Sequence, residues 1–126
     1  YWLQYGDLLS SMSKFDDAIN KYEEAIKIDP VYDYALYNIA SAYKNKAGIK
    51  QKTEQEKLDK DSDYQIKTET YFPDLTKSAE YYTKTIETKQ FKDNQNVLLQ
   101  LANIYQVVED KRFVLSPAKN KHHHEF

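Results

Sequence analysis

Residues 14–30, "KFDDAINKYEEAIKIDP", decide the fold. Phe15, Ala18, Ile19, Tyr22, Ala25, Ile26 and Ile28 recur at short helical intervals and line one face, while Asp16, Asp17, Lys21, Glu23, Glu24 and Lys27 fill the other. The helix stops at Asp29, because Pro30 disfavours helical backbone at the residue before it. Upstream, Trp2, Leu3, Tyr5, Leu8, Leu9 and Met12 predict a first amphipathic helix over 2–11, broken at Ser13 and Lys14. Gly6 and Ala18 are small residues at the expected crossing point, with Tyr22 and Ala25 filling the next layer.

This helical pair is repeated. Trp2, Tyr5, Gly6 and Leu9 return as Leu36, Ile39, Ala40 and Tyr43, each 34 positions on. They return again as Leu98, Leu101, Ala102 and Tyr105, now 62 positions further. A fixed period of this length signals stacked helical pairs. Trp2, Tyr5, Gly6, Leu9, Ala18, Tyr22, Ala25 and Pro30 resemble the eight signature positions of the tetratricopeptide repeat family. That resemblance implies an all-α, right-handed α-α superhelix that binds proteins or peptides along its concave groove.

The second unit is longer than the first. Leu75, Ser78, Tyr82, Thr85 and Ile86 lie 60 residues after Phe15, Ala18, Tyr22, Ala25 and Ile26, which places an insertion at about 47–72 between its two helices. The insert is polar and admits two readings, a disordered loop or an extended helical hairpin turning near residues 59–63. The hairpin is favoured, because Lys50 with Glu54 and Glu56 with Lys60 are opposite charges four residues apart. Each arm would project about 20 Å. The text around the insert is also similar to tetratricopeptide proteins of Bacteroidetes-like bacteria.

The expected organisation is one domain: repeat 1 over 1–32, repeat 2 over 33–92, a partial repeat 3 over 94–112, and a tail over 113–126. In the third unit Asn94 or Asn96 caps a helix whose Leu98, Leu101, Ala102, Ile104 and Tyr105 face inward. Its partner helix is missing or degenerate, so either Phe113, Val114 and Leu115 fold back as a cover or the array continues past Phe126. A start inside a helix, without Met, reads as an excerpt of a longer polypeptide.

Composition narrows the function. A net charge of −2 offers no basic face for nucleic acid, and no apolar run approaches the roughly 20 residues that span a bilayer. Any membrane association would come from segments outside this chain. There is no Cys, and the 2 Gly form no phosphate-cradling loop. His122, His123 and His124 read as a tail or a tag remnant, with no defined metal shell. The expectation is no enzyme, no catalytic residue, no metal, no cofactor and no small-molecule substrate. Compartment stays open between cytosol and periplasm.

The resemblance maps groove positions onto Leu3, Asp7, Ser10 and Ser11 of the first unit, then Tyr34, Tyr37, Ser41, Lys44 and Asn45 of the second. The third contributes Asn96, Leu99, Asn103, Gln106 and Val107. Tyr34 and Tyr37 offer flat amphipathic area, and Asn45 and Asn103 can bond a peptide backbone. Repeats that clamp acidic chaperone C-termini carry Lys and Asn where this chain has Leu3 and Asp7, so that partner class does not fit. The expected function is a non-catalytic scaffold that binds a peptide or partner subunit through the groove or the hairpin. The alternative is a building block of a larger assembly with its Tyr-rich faces permanently buried.

Overall fold

A computed structural model describes residues 1–115, and the His122–His124 run lies outside them. The described helices are α1 (Trp2–Ser11), α2 (Phe15–Ile28), α3 (Asp33–Lys60), α4 (Phe72–Ile86) and α5 (Gln95–Leu115), with a 3-10 turn at Thr68–Thr70. Among the described residues there is no strand. Helix α1 pairs with α2 and α3 with α4, while α3 also packs on α1 and α2, and α5 closes on α4. The result is a helical-repeat fold of two layers, α1, α3 and α5 in one and α2 and α4 in the other.

The turn between α1 and α2 is tight. Ser13 sits at φ 59°, and the Met12, Ser13 and Lys14 amides donate back to carbonyls of Leu8, Leu9 and Ser10 that the helix end leaves open. Gly6 then lets α2 approach: a Cβ at this position would lie 2.4 Å from the Tyr22 ring. Ala18, Tyr22 and Ala25 are 0, 1 and 5% exposed, and Ser78, Tyr82 and Thr85 are 0, 2 and 0% exposed. Helix α4 therefore takes the packing role in its pair that α2 takes in the first.

Two apolar cores result. Ala18, Ile19, Tyr22, Ile39 and Ala42 fill the first, and Tyr71, Leu75, Ala79, Tyr82, Val97, Leu101, Ile104 and Val108 dominate the second. Tyr81 of α4 joins them by packing on the first core, its ring stacked on Tyr43 at 6.0 Å between centroids.

The insert is half helix. Helix α3 runs through Gly48 to Lys60, as the hairpin reading requires, but residues 61–67 return as non-helical chain. Asp61 gives the physical reason, since its carbonyl and carboxylate take the Tyr64 and Asp63 amides in a turn that competes with helix. Neither expected ion pair forms. Lys50 instead donates to Asp74 of α4 at 2.7 Å, and Lys46 bridges Asp16 and Asp74 at 2.6 and 3.7 Å.

Glu54 fastens the returning chain. Its carboxylate, 3% exposed, accepts from the Tyr64 hydroxyl at 2.6 Å, the Lys67 amide at 2.8 Å and Lys57 Nζ at 3.3 Å. The Tyr64 hydroxyl, then the Lys67 amide, hold its pKa below the ordinary 4.5. The clasp is therefore at full strength above that value and weakens as pH falls through the depressed one. Glu54→Gln is expected to lower hydrogen-exchange protection of the Lys67 amide several-fold at neutral pH. Wild type should show the same loss on acidification, and an unchanged Lys67 protection in the variant would contradict the clasp.

Two expectations for α5 are corrected. Val97, Leu101, Ile104 and Val108 face inward, whereas Leu98 and Tyr105 are 43 and 55% exposed and Ala102 is exposed. The periodic positions Leu98, Ala102 and Tyr105 correspond to the face that in α3 meets α4, and no described helix covers it in α5. Residues 113–115 continue α5 rather than folding back. Asn94, not Asn96, caps the helix, its side-chain oxygen accepting the Val97 amide at 3.1 Å.

Candidate functional site

Helices α1, α3 and α5 share one face because every third or fourth residue along each points the same way. Side-chain rungs tie the three together. Asn38 of α3 donates to Asp7 of α1 at 2.8 Å, Asn96 of α5 donates to the Tyr37 hydroxyl at 2.9 Å, and Lys44 donates to Gln100. Gln100 donates in turn to Asn96 at 3.4 Å.

Asp7 anchors the α1 end. It accepts the Tyr22 hydroxyl at 2.6 Å as well as Asn38, and Ser10 lies 3.2 Å from the same hydroxyl. Burial first, then the bond to Asp7, raises the Tyr22 pKa, which keeps the phenol a donor. Ser41 meets the Tyr82 hydroxyl at 3.1 Å, and burial raises the pKa of that phenol also.

At the centre is an aromatic cluster. Tyr37 stacks on Phe91 at 5.2 Å with the planes 6° apart, and Tyr34 meets Phe91 edge-on at 5.6 Å. Tyr37 also meets Tyr82 edge-on at 5.8 Å. Such offset and edge geometries are the favoured ones for rings. Tyr34 remains 47% exposed, so one ring of the cluster is offered to solvent.

The structure brings together Asp7, Tyr37, Ser41, Lys44 and Asn96 through this network and leaves Tyr34 beside it. Asn45, Leu99, Asn103 and Gln106 are exposed. Leu3 stands apart: it is half-buried against the α1–α2 core and lines a shallow end cavity with Ala25 and Tyr32. Ser11 bonds its own helix carbonyl at Leu8, and Val107 packs against the second core.

Sequence reasoning missed Asn38, Gln100 and Phe91. Asn38 and Gln100 are 62 residues apart, so they occupy one register position, and each bonds to the preceding helix of the layer. That polar pair was a readable signal. Phe91 lies in the connection between α4 and α5, where the repeat provides no register.

No described helix is long and apolar enough to cross a membrane. No curated protein matches the chain. Residues 6–46 match the family model described as TPR repeat, a span that covers most of α1, all of α2 and the first half of α3. Repeats of this kind generally mediate protein–protein interaction and are generally not catalytic. The packing of α1, α2 and the first half of α3 and this match agree that residues 6–46 are similar to a tetratricopeptide repeat.

Proposed function

We propose that this chain is a non-catalytic scaffold that binds an extended peptide of a partner protein along the α1–α3–α5 face. The observation that carries the reading is the ring of Tyr34, half exposed and packed edge-on against Phe91, with the exposed amides of Asn45, three turns along the same helix, and Asn103 of α5. An aromatic platform binds a side chain, and amides two helices apart bond the peptide backbone. Asp7 and Lys44 are already partnered, so selectivity rests on uncharged polar and aromatic contacts. The 1–32, 33–92 and 94–112 units, with their insert, are the frame of this face.

Selection of a displayed random peptide library on the 126-residue protein tests it. Selected peptides are expected to lose affinity by about tenfold or more on Tyr34→Ala, and by a smaller factor on Asn45→Ala. Peptides that bind both variants like wild type would overturn the proposal. A second reading, a building block with permanently covered faces, is supported by Tyr1, Tyr5, Leu8 and Met12, which make an exposed stripe on α1. Light scattering separates the two, since a stable monomer fits peptide binding and an obligate oligomer fits the building block.

A further inference from the structure

We infer that the Tyr37 hydroxyl sets the register of the bound peptide by donating to one of its main-chain carbonyls, and that the hydrogen-bond chain Lys44–Gln100–Asn96 fixes it as a donor. This inference rests on the peptide-binding reading above. It names the residue, and the chemistry, by which the face selects what lies next to the Tyr34 platform.

The direction of the chain follows from its first member. The Lys44 ammonium has only donors, so the Gln100 amide must turn its oxygen to it. Gln100 Nε2 then points to Asn96 and donates to its Oδ1 at 3.4 Å. The remaining Asn96 group, Nδ2, donates to the Tyr37 oxygen at 2.9 Å. Turning either amide over would set N–H against N–H or against the ammonium. A phenol oxygen that accepts in this way keeps its own O–H for an acceptor elsewhere. All the bonds run one way, from α3 to α5 and back to α3, and bonds so aligned polarise one another. A positive charge at the head of the chain therefore strengthens the donor at its end.

The ring that carries this donor is held in place. Tyr37 stacks on Phe91 at 5.2 Å and meets the buried Tyr82 edge-on at 5.8 Å. Its bond to Asn96 lies at the exposed surface of the layer. Other phenols spend their protons inside the fold, Tyr22 on Asp7 and Tyr64 on Glu54, both at 2.6 Å. Among the described residues the Tyr37 O–H meets no acceptor.

The chemistry of the acceptor follows from the surroundings. Tyr34 stands three positions earlier on the same helix, so the acceptor sits about one helical turn from the side chain that the platform holds. The amides of Asn45 and Asn103 can give or take a hydrogen bond, whereas Tyr37, already accepting from Asn96, can only give one. A neutral main-chain carbonyl is favoured over a carboxylate, because Lys44 is turned to Gln100 and the Asp7 carboxylate lies in the same layer of helices.

A library-selected peptide, labelled and titrated by fluorescence anisotropy against the full chain, is the test. Tyr37→Phe keeps the ring and is expected to weaken binding about five- to tenfold, the worth of one hydrogen bond. Lys44→Met is expected to weaken it by a smaller factor, and to have no effect once Tyr37→Phe is present. An equal Lys44→Met effect in both backgrounds overturns the chain, because Lys44 then touches the peptide itself. On the peptide side, main-chain amides are replaced in turn by esters, whose carbonyls accept more weakly. One replacement should weaken binding to wild type and change nothing for Tyr37→Phe. Coupling of Tyr37→Phe to a peptide carboxylate instead would overturn the carbonyl assignment. Peptides that depend on Tyr34 but bind Tyr37→Phe like wild type overturn this inference alone. A library with no binder, or with binders indifferent to Tyr34→Ala, defeats the peptide-binding reading and this inference with it.

Discussion

Tyr82→Ala is expected to cost about 3–5 kcal/mol, the range for deleting a buried aromatic ring. Tyr82 is 2% exposed and sits where α3, α4 and α5 meet. The truncation opens a ring-sized cavity, removes the bond to Ser41 and takes away the edge contact under Tyr37. A domain of this size is stable by roughly 5–15 kcal/mol, so the variant loses a large part of its margin. Tyr82→Phe keeps the ring and loses only the hydroxyl, which costs about 1 kcal/mol. Urea unfolding of the two variants side by side checks the ratio. Equal, small losses would mean that α4 is not the central packing element.

Gly6→Leu carries the second large effect. At Gly6 a Cβ alone would lie 2.4, 2.6 and 2.9 Å from three atoms of the Tyr22 ring, which is 1% exposed and held by Asp7 and Ser10. The ring cannot swing away without breaking those bonds, so α1 must separate from α2. Overpacking of this kind costs about 1–3 kcal/mol, and loss of the Tyr22 hydroxyl bonds adds about 1–3 more. Gly6→Ala meets the same clash but recovers about 1 kcal/mol of helix propensity, so it should sit between wild type and Gly6→Leu. Thermal unfolding gives the order, and a Gly6→Leu protein as stable as wild type would refute the close approach. Gly48, with open space around it, tolerates the same change.

The difference between those two glycines was legible in the sequence. Gly6 recurs as Ala40 and Ala102 at the repeat period, while Gly48 lies in the insert and has no counterpart. The same periodicity located α1 at Trp2–Ser11, α2 at Phe15–Ile28 and the start of α3 at Asp33. It also identified Ser78 and Tyr82 as the counterparts of Ala18 and Tyr22, all of them buried in the structure.

Where periodicity misled, a local interaction or a missing neighbour was responsible. Residues 64–67 fall in the expected returning arm of the helical hairpin, yet Glu54 captures the Lys67 amide there, after the turn at Asp61. Lys50 was paired with Glu54 on spacing alone, but Asp74, 24 residues on, meets it first. In α5 the periodic positions mark the face that a following helix covers. Val97, Leu101 and Ile104 are buried against α4, as their counterparts Ala35, Ile39 and Ala42 are buried in α3. For the candidate site, the repeat placed Tyr37, Ser41, Lys44 and Asn96 on one face, but could not supply Phe91, which no helix register reaches. The exposure of Tyr34 depends on that ring beneath it.

Amide chemical-shift mapping tests the central claim most directly, with ¹⁵N-labelled protein titrated against a library-selected peptide. The account predicts shifts at Tyr34, Tyr37, Lys44, Asn45, Asn96 and Asn103, with little change at Asp17, Glu24 and Lys77 on the other layer. Shifts concentrated on α2 and α4, with Tyr34 and Asn96 unmoved, would contradict it.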